Sequence, residues 1–270
     1  MIRILSFLIY SNVFVSLCVL SLGLSSSLIL QATNSDVNIF LFFSTVFIYN
    51  FQRIVRIQNG LEHIRKEWSI KHQKIIYFLM GISLIICLIM FLDFKFITQL
   101  VIAILALTSI FYPTLLRQIP ILKIFIISLV WALSTTLILA LENNILLSTD
   151  FILHSFSRFL FVFAITIPFD IRDLKYDINN LITLPLFFGT WISKIISLFC
   201  LFICGLIIFF QYLNESLISS HFYALILLYF LSSIFICKSN EEKEDFFYSF
   251  WVESLSIMSY VFLIFMLLIF

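Results

Sequence analysis

Charged residues are scarce in this sequence: Asp, Glu, Lys and Arg together make up 11% of its 270 residues, whereas hydrophobic residues make up 62%. A soluble domain is nearer one half hydrophobic and one quarter charged, so the composition excludes an ordinary soluble domain. The sequence also lacks a basic segment interleaved with aromatic residues, which excludes a nucleic-acid-binding surface. It therefore predicts an all-α membrane protein that sits in a lipid bilayer and crosses it several times.

Glycine and proline are also rare, at five and four residues. No flexible linker, low-complexity tract or soluble appendage is present, so we expect a single domain over residues 1–270. Transporters often contain repeated helices that Gly or Pro interrupts near the middle of the membrane. The scarcity of both residues disfavours a transporter.

The five cysteines all lie in or beside apolar stretches. Cys200 and Cys204 share a helix face, but no His or third Cys completes a metal-binding set. We interpret the cysteines as small apolar residues that pack within helices.

Nine apolar segments are long enough to cross a bilayer. They are residues 4–30, 37–57, 75–92, 96–112, 121–141, 151–169, 191–212, 222–237 and 246–270. The first lacks a cleavage site and is too long for a removed signal peptide, so we expect it to be retained. With the N-terminus inside, almost every Lys and Arg falls on one face, Lys95 being alone on the other. This asymmetry predicts a cytoplasmic N-terminus and supports the nine-span count. The expected location is a bacterial cytoplasmic membrane.

Three carboxylates close the sixth apolar segment: Asp170, Asp173 and Asp177. Spacings of three and four residues place them on one helix face, within about two turns. Hard divalent cations, Mg²⁺ above all, bind such carboxylate oxygens and keep positions open for phosphate. A solvated loop is the alternative, but apolar segments flank the cluster closely on both sides. The pattern therefore favours a metal site, on the cytoplasmic side.

The motif DxxDxxxD at residues 170–177, followed by Thr183, Leu184, Pro185 and Gly189, resembles the second aspartate-rich motif of the UbiA-type intramembrane prenyltransferases. The resemblance implies a bundle of about nine helices around a central cavity that opens to the cytoplasm. It implies transfer of a prenyl group from a prenyl diphosphate to a small-molecule acceptor. Asp170 and Asp173 would be catalytic, and both would bind Mg²⁺ together with Asp177.

The first aspartate-rich motif of that family, NxxxDxxxD, is degenerate here. Asn50 is present, but Ile54 and Gln58 stand where the two aspartates are expected, and Arg53 and Arg56 lie nearby. The arginines are either membrane-interface anchors or a replacement for one metal, since guanidinium matches phosphate oxygens. A third alternative is that prenyl transfer has been lost. On the second alternative, Asn50 and Arg53 line the cavity and bind diphosphate directly, with Arg56 in support.

The segment between the fourth and fifth spans contains Tyr112, Arg117 and Lys123, and family members similarly carry a Tyr followed by a basic residue. The resemblance places all three among the substrate-binding residues. Interface anchoring is an equal alternative for Arg117 and Lys123.

Three further patterns lie outside these motifs. The pattern of residues 59–73 predicts a short amphipathic helix at the cytoplasmic opening of the bundle. The mixed charges of residues 238–245 predict a solvated turn. Arg158 and Glu253 are charges within spans, where a structural ion pair between them is a better expectation than catalysis.

The sequence is compatible with two functions. The first is an Mg²⁺-assisted prenyltransferase whose acceptor is an aromatic acid, a quinone precursor, haem or a phosphosugar. The second is a non-enzymatic relative that binds a prenyl lipid or serves in assembly.

Overall fold

A computed structural model describes residues 2–58, 65–114, 119, 121–174 and 183–270, which are entirely helical apart from short connections. The arrangement is an all-α membrane bundle, as predicted. The described residues form eleven α-helices: α1 (Ile2–Tyr10), α2 (Val13–Ile29), α3 (Asp36–Gln58), α4 (Lys66–Lys71), α5 (Gln73–Asp93), α6 (Phe96–Phe111), α7 (Leu122–Glu142), α8 (Thr149–Arg172), α9 (Leu184–Leu213), α10 (Ser219–Lys238) and α11 (Leu255–Ile269). A π-helical turn, Phe247–Val252, precedes α11.

Seven of the described helical segments are long and apolar enough to cross a membrane. The bent pair α1 and α2 makes an eighth, and α6 is apolar but only 16 residues long. These segments correspond in order to the nine predicted ones. The chain is therefore a multi-pass membrane protein.

The helices pack in a ring around the cavity. Each of α6 to α10 packs against the next helix in sequence. α11 packs against α2, α2 packs against α3, and α3 also contacts α5. The most deeply buried candidate span is α8, whose inner residues form the centre of the largest apolar core. The end of α8 carries the acidic motif, so the core itself positions Asp170.

Pro168 lies inside α8, two residues before Asp170. Proline has no N–H, so the carbonyl of Ala164 loses its usual helical partner. Ser197 Oγ on α9 donates to that carbonyl at 2.6 Å. Because lipid offers no replacement donor, this contact makes the proline tolerable within the membrane. It also fixes the last turn of α8 against α9.

The first apolar segment is not one straight helix, which corrects the expectation for residues 4–30. α1 and α2 meet at an angle of 74°, and Asn12 adopts a left-handed conformation with φ 62° at the break. Asparagine tolerates this conformation better than other non-glycine residues.

A second break lies at Gly189 in α9, where φ is 81°. The predicted span began at residue 191, whereas the helix begins at Leu184, on the other side of this break. Glycine accepts the positive φ without a Cβ clash.

Candidate active site

One cavity of about 380 Å³ opens within the bundle between α2, α3, α6, α7, α8 and the final span, Phe247–Ile269, which contains the π-helical turn and α11. Its apolar wall includes Val19, Leu41 and Ile102, while charged side chains gather near the end of α8. Lys123 and Ile138 both line it from α7, so it extends about 22 Å along that helix. The cavity therefore joins a charged end to a long apolar channel.

Asp170 lies at the charged end and is almost completely buried. Lys123 Nζ, from the start of α7, pairs with Asp170 Oδ1 at 2.6 Å. Among the described residues, Asp170 Oδ2 has no hydrogen-bond partner. Two predicted site residues that are distant in sequence thus meet at the cavity.

A chain of ion pairs follows one turn later. Arg172 Nε and Arg172 Nη2 donate to the two oxygens of Asp173 at 2.7 and 3.1 Å. Arg172 Nη1 also pairs with Asp245 Oδ1 at 2.8 Å, and Arg65 pairs with Asp245 Oδ2 at 3.1 Å. Arg65 further donates to Ser249 Oγ. These contacts connect Arg65, the residue before α4, with the end of α8 and with Asp245, just before the π-helical turn.

The two carboxyls in these ion pairs, Asp173 and Asp245, lie outside the spans, and both have lowered pKa values. Burial alone raises the pKa of Asp173, but the Arg172 guanidinium outweighs burial and holds it below its ordinary value. Burial likewise raises the pKa of Asp245, and Arg65 and Arg172 together bring it below the ordinary value. Both carboxyls are therefore ionised at neutral pH.

Asn50 does not line the cavity, contrary to the expectation for its side chain. It is fully buried, and its Nδ2 donates to the carbonyl of Ser11 at 2.9 Å and to that of Val46 at 2.8 Å. Its Oδ1 accepts from Asn12 Nδ2 at 2.9 Å. Every polar atom of this amide is thus engaged in holding the α1–α2 break.

Arg53 lines the cavity, but its guanidinium also points to the break. It donates to the carbonyl of Tyr10 and to Asn12 Oδ1, and the residue is buried. A cation at the carboxyl end of α1 complements the exposed carbonyls and the helix dipole there. The geometry assigns Asn50 and Arg53 to the support of the broken helix.

The remaining predicted site residues divide into two groups. Arg56 and Tyr112 line the cavity near its charged end, from α3 and from the end of α6. Arg117 and Asp177 lie outside the described residues, as does the first part of the predicted amphipathic segment. The rest of that segment contains the short helix α4.

Sequence reasoning missed Arg65, Arg172 and Asp245 as cavity residues. Residues 238–245 were expected to be a solvated turn, yet Asp245 is half-buried between two arginines. Arg172 could have been noticed because it lies inside the acidic motif. No local signal identifies Arg65 or Asp245, since their pairing depends on how three elements meet.

Arg158 and Glu253 do not pair within the described structure. Arg158 Nη2 donates to Ser25 Oγ and Ser26 Oγ at 2.5 and 3.1 Å, in a small polar cluster with His154. Glu253 lines the main cavity instead.

Comparisons with known proteins agree with this arrangement. The sequence profile described as the UbiA prenyltransferase family matches residues 64–255. This match covers more than half of the chain. The chain belongs to the UbiA prenyltransferase family.

Solved structures of UbiA homologues share the fold. A homologue from Archaeoglobus fulgidus, solved bound to GPP and Mg²⁺, has a TM-score of 0.69 at 11% identity, covering 96% of this chain and 98% of that one. An apo homologue from Aeropyrum pernix K1 has a TM-score of 0.66 at 10% identity, covering 94% and 97%. A structure of digeranylgeranylglyceryl phosphate synthase has a TM-score of 0.60 at 17% identity, covering 99% and 98%. No curated protein sequence matches the chain.

The family suggests a magnesium ion, and the donor atoms of this UbiA member fit one in part. Asp170 offers one oxygen without a partner at the cavity, while both oxygens of Asp173 are held by Arg172. Within the described ranges, no group of three or more His, Cys, Asp or Glu side chains is placed to hold a metal. Asp177, the third predicted ligand, lies outside these ranges.

Proposed function

We propose that this protein is a membrane prenyltransferase that moves a prenyl group from a prenyl diphosphate to a small-molecule acceptor. One observation carries the proposal: a single cavity joins a cluster of cations and carboxylates to a long apolar channel. Such a shape matches a substrate with a diphosphate head and a hydrocarbon tail. The structural likeness to a homologue that was solved with GPP and Mg²⁺ supports the same substrate class.

The diphosphate would bind at the end of α8. Arg56, Arg65, Lys123 and Arg172 line this part of the cavity, and guanidinium groups bind phosphate oxygens in a bidentate way. Tyr112 lines the same part of the cavity, and the family resemblance adds Arg117 to the set. Lys123 and Arg172 would turn from their carboxylate partners to the diphosphate as it enters.

Asp170 and Asp173, with Asp177 as a third candidate, would hold Mg²⁺. A bound Mg²⁺ neutralises charge on the diphosphate and so makes it a better leaving group. Asp170 is already positioned by the core through α8. Release of Asp173 from Arg172 when the diphosphate arrives would complete the set.

The apolar wall would accommodate the prenyl chain and keep water from the reacting carbon. Phe40, Leu41 and Ile102 contribute buried apolar surface to this wall. Exclusion of water protects an allylic cation from hydrolysis. Trp131 presents an aromatic ring whose π-face can stabilise such a cation.

A second function, binding of a prenyl lipid without transfer, has its own support. Asp170 and Asp173 each have a basic partner. On α3, Ile54 and Gln58 stand where the family pattern has carboxylates, and Arg53 and Arg56 lie beside them. A site of this kind can bind a phosphorylated lipid through cations alone.

Release of diphosphate from geranyl diphosphate separates the two functions. We expect purified protein in detergent to release diphosphate when Mg²⁺ is present and to stop when EDTA removes it. Binding of geranyl diphosphate without any release, across a panel of candidate acceptors, would favour the lipid-binding alternative. Absence of binding would contradict both.

A further inference from the structure

The Glu253 carboxylate lines the cavity from within the final span, Phe247–Ile269. Among the described residues it makes no hydrogen bond or ion pair, and Arg65 and Arg172 act on it only electrostatically. Those two arginines instead pair directly with Asp245, eight residues earlier. Acidic side chains within spans are costly to place there and generally mark functional sites.

The backbone around Glu253 is fixed in an unusual way. The π-helical turn Phe247–Val252 ends immediately before it, and the Glu253 N–H donates to the carbonyl of Tyr248 at 3.1 Å. On the other side, Cys18 Sγ of α2 donates to the Glu253 carbonyl at 3.3 Å. π-helical turns are frequent at functional sites because they change the direction of side chains.

Tyr49 faces the same cavity from α3. Its hydroxyl accepts a hydrogen bond from Trp131 Nε1 at 2.9 Å, and the two rings meet edge to face. The hydroxyl proton of Tyr49 has no acceptor among the described residues. Tyr49 and Glu253 interact electrostatically, yet no hydrogen bond joins them. A donor and an acceptor thus face one cavity without satisfying each other.

We propose that an uncharged hydroxyl group of the prenyl acceptor binds between Tyr49 and Glu253, and that Glu253 is the base that takes its proton. The acceptor oxygen would accept from the Tyr49 hydroxyl and donate to the Glu253 carboxylate. This inference rests on the proposed prenyl transfer. It adds a residue and an acceptor class to that function.

The transfer balances with Glu253 as the base. The acceptor O–H bond breaks, its proton passes to a Glu253 oxygen, and the oxygen electron pair forms the new bond to the first carbon of the prenyl chain. The bond from that carbon to the diphosphate oxygen breaks, and its electron pair leaves with the diphosphate.

Charge and shape restrict the acceptor further. A carboxylate placed beside Glu253 would bring two negative charges together in a water-poor cavity, at a high electrostatic cost. Trp131, Tyr49 and Phe14 line this region with aromatic rings, which favour a flat ring. The acceptor class is therefore a neutral hydroxylated ring compound, which excludes an aromatic acid.

Two probes of equal ring shape test the inference: 1-naphthol, which is neutral at pH 7, and 1-naphthoate, which is anionic. We expect the full-length wild-type protein in detergent to bind the naphthol at least about tenfold more tightly, the scale of one charge-assisted contact. Glu253→Gln should remove most of this preference, and Tyr49→Phe should weaken naphthol binding about tenfold. Glu241→Gln, at an exposed position, is the matched control.

Equal binding of the two probes to the wild type, or an unchanged preference in Glu253→Gln, would overturn the inference. Tyr49→Phe provides the second test should Glu253→Gln fail to fold. Geranyl diphosphate binding to the wild type is measured in the same samples. Its absence would overturn the proposed prenyl transfer, whereas a lost naphthol preference alone would overturn only the role of Glu253.

Discussion

Asp170 and Lys123 form an ion pair at the charged end of the cavity. Both side chains are largely buried, with exposed fractions of 2% and 13%. The attraction between such charges offsets the cost of removing them from water only while both are present. Each member of the pair therefore depends on the other, and the contact fixes the position of both side chains at the cavity.

Removing the amine of this pair should destabilise the protein. Lys123→Met leaves Asp170 buried without its nearest cation, and we expect a loss of about 3–5 kcal/mol in the free energy of unfolding. The double variant Lys123→Met/Asp170→Asn should recover much of that loss. Reversible unfolding in mild detergent measures both. Equal stability of the single variant and the wild type would contradict a buried pair.

The position of Asp245 between two arginines predicts a dependence of stability on pH. The folded-state pKa of Asp245 lies below its unfolded value, so its stabilisation is fully present above the ordinary carboxyl pKa of about 4. The stabilisation is lost as pH falls through the lower, folded-state value.

The melting temperature of Asp245→Asn should accordingly lie below that of the wild type by a constant amount from about pH 8 to pH 5. The difference should close only below about pH 4. Asp36→Asn, at an exposed position that does not line the cavity, is the control. A difference that closes already near pH 6 would show that Asp245 is not held by the arginines.

The sequence located several cavity residues whose position follows from one helix or from the family resemblance, while their roles stay predictions. Asp170 and Asp173 were placed on one face by their spacing, and the structure brings both to the cavity with Arg56, Tyr112 and Lys123. Arg65 and Asp245 were missed because their pairing joins segments about 180 residues apart. Asn50 was misplaced because a polar side chain in a span can serve the backbone of a neighbouring helix, which spacing does not reveal.

At the scale of elements, the break between α1 and α2 is the feature that depends most on other helices. The carbonyls of Tyr10 and Ser11 lose their helical partners there, and Arg53 and Asn50 of α3 supply new donors. Unsatisfied carbonyls in lipid cost several kcal/mol each. Hydropathy detected this region as one apolar run, since composition alone does not distinguish a bent span from a straight one.

Asn50→Ala and Arg53→Ala should therefore both lower stability, by about 1–3 kcal/mol each. Arg53→Lys should recover only part of the loss, because one ammonium cannot reproduce the planar pair of donors. Gln58→Ala, on the exposed end of the same helix, is the control and should change little. Thermal unfolding in detergent is the measurement.

The alternative for Arg53 is direct binding of diphosphate. In that case Arg53→Ala would weaken geranyl diphosphate binding about ten- to hundredfold while leaving the melting temperature unchanged. That pattern would contradict the structural role of α3 in supporting the break.

At the scale of the whole molecule, the ion pairs place Arg65, Asp173 and Asp245 at one end of the bundle. The distribution of Lys and Arg predicts that this end faces the cytoplasm. The order and number of spans could be predicted from hydropathy, but which helices surround the cavity could not, because that depends on packing between distant segments.

Labelling of single cysteines tests the orientation. Lys71 is exposed at the end of α4 and is therefore a suitable position for the cysteine. Ser69 is buried, so a cysteine there would label poorly. In intact cells, with the native cysteines replaced, an impermeant maleimide should miss Lys71→Cys and should label Leu146→Cys, which is exposed at the opposite end. The reverse pattern would contradict the predicted topology.

The central claim is that the acidic residues at the end of α8 bind Mg²⁺ together with a prenyl diphosphate. Calorimetric titration of geranyl diphosphate into the wild type, Asp170→Ala and Asp173→Ala, each with and without Mg²⁺, tests this claim most directly. We predict tighter binding with Mg²⁺ in the wild type and no effect of Mg²⁺ in either variant. Asp170→Ala leaves Lys123 without its partner and lowers stability, so the titrations are run below its melting temperature, where both variants are folded in detergent. An equal Mg²⁺ effect in all three proteins would contradict the claim, because the metal would then be held elsewhere.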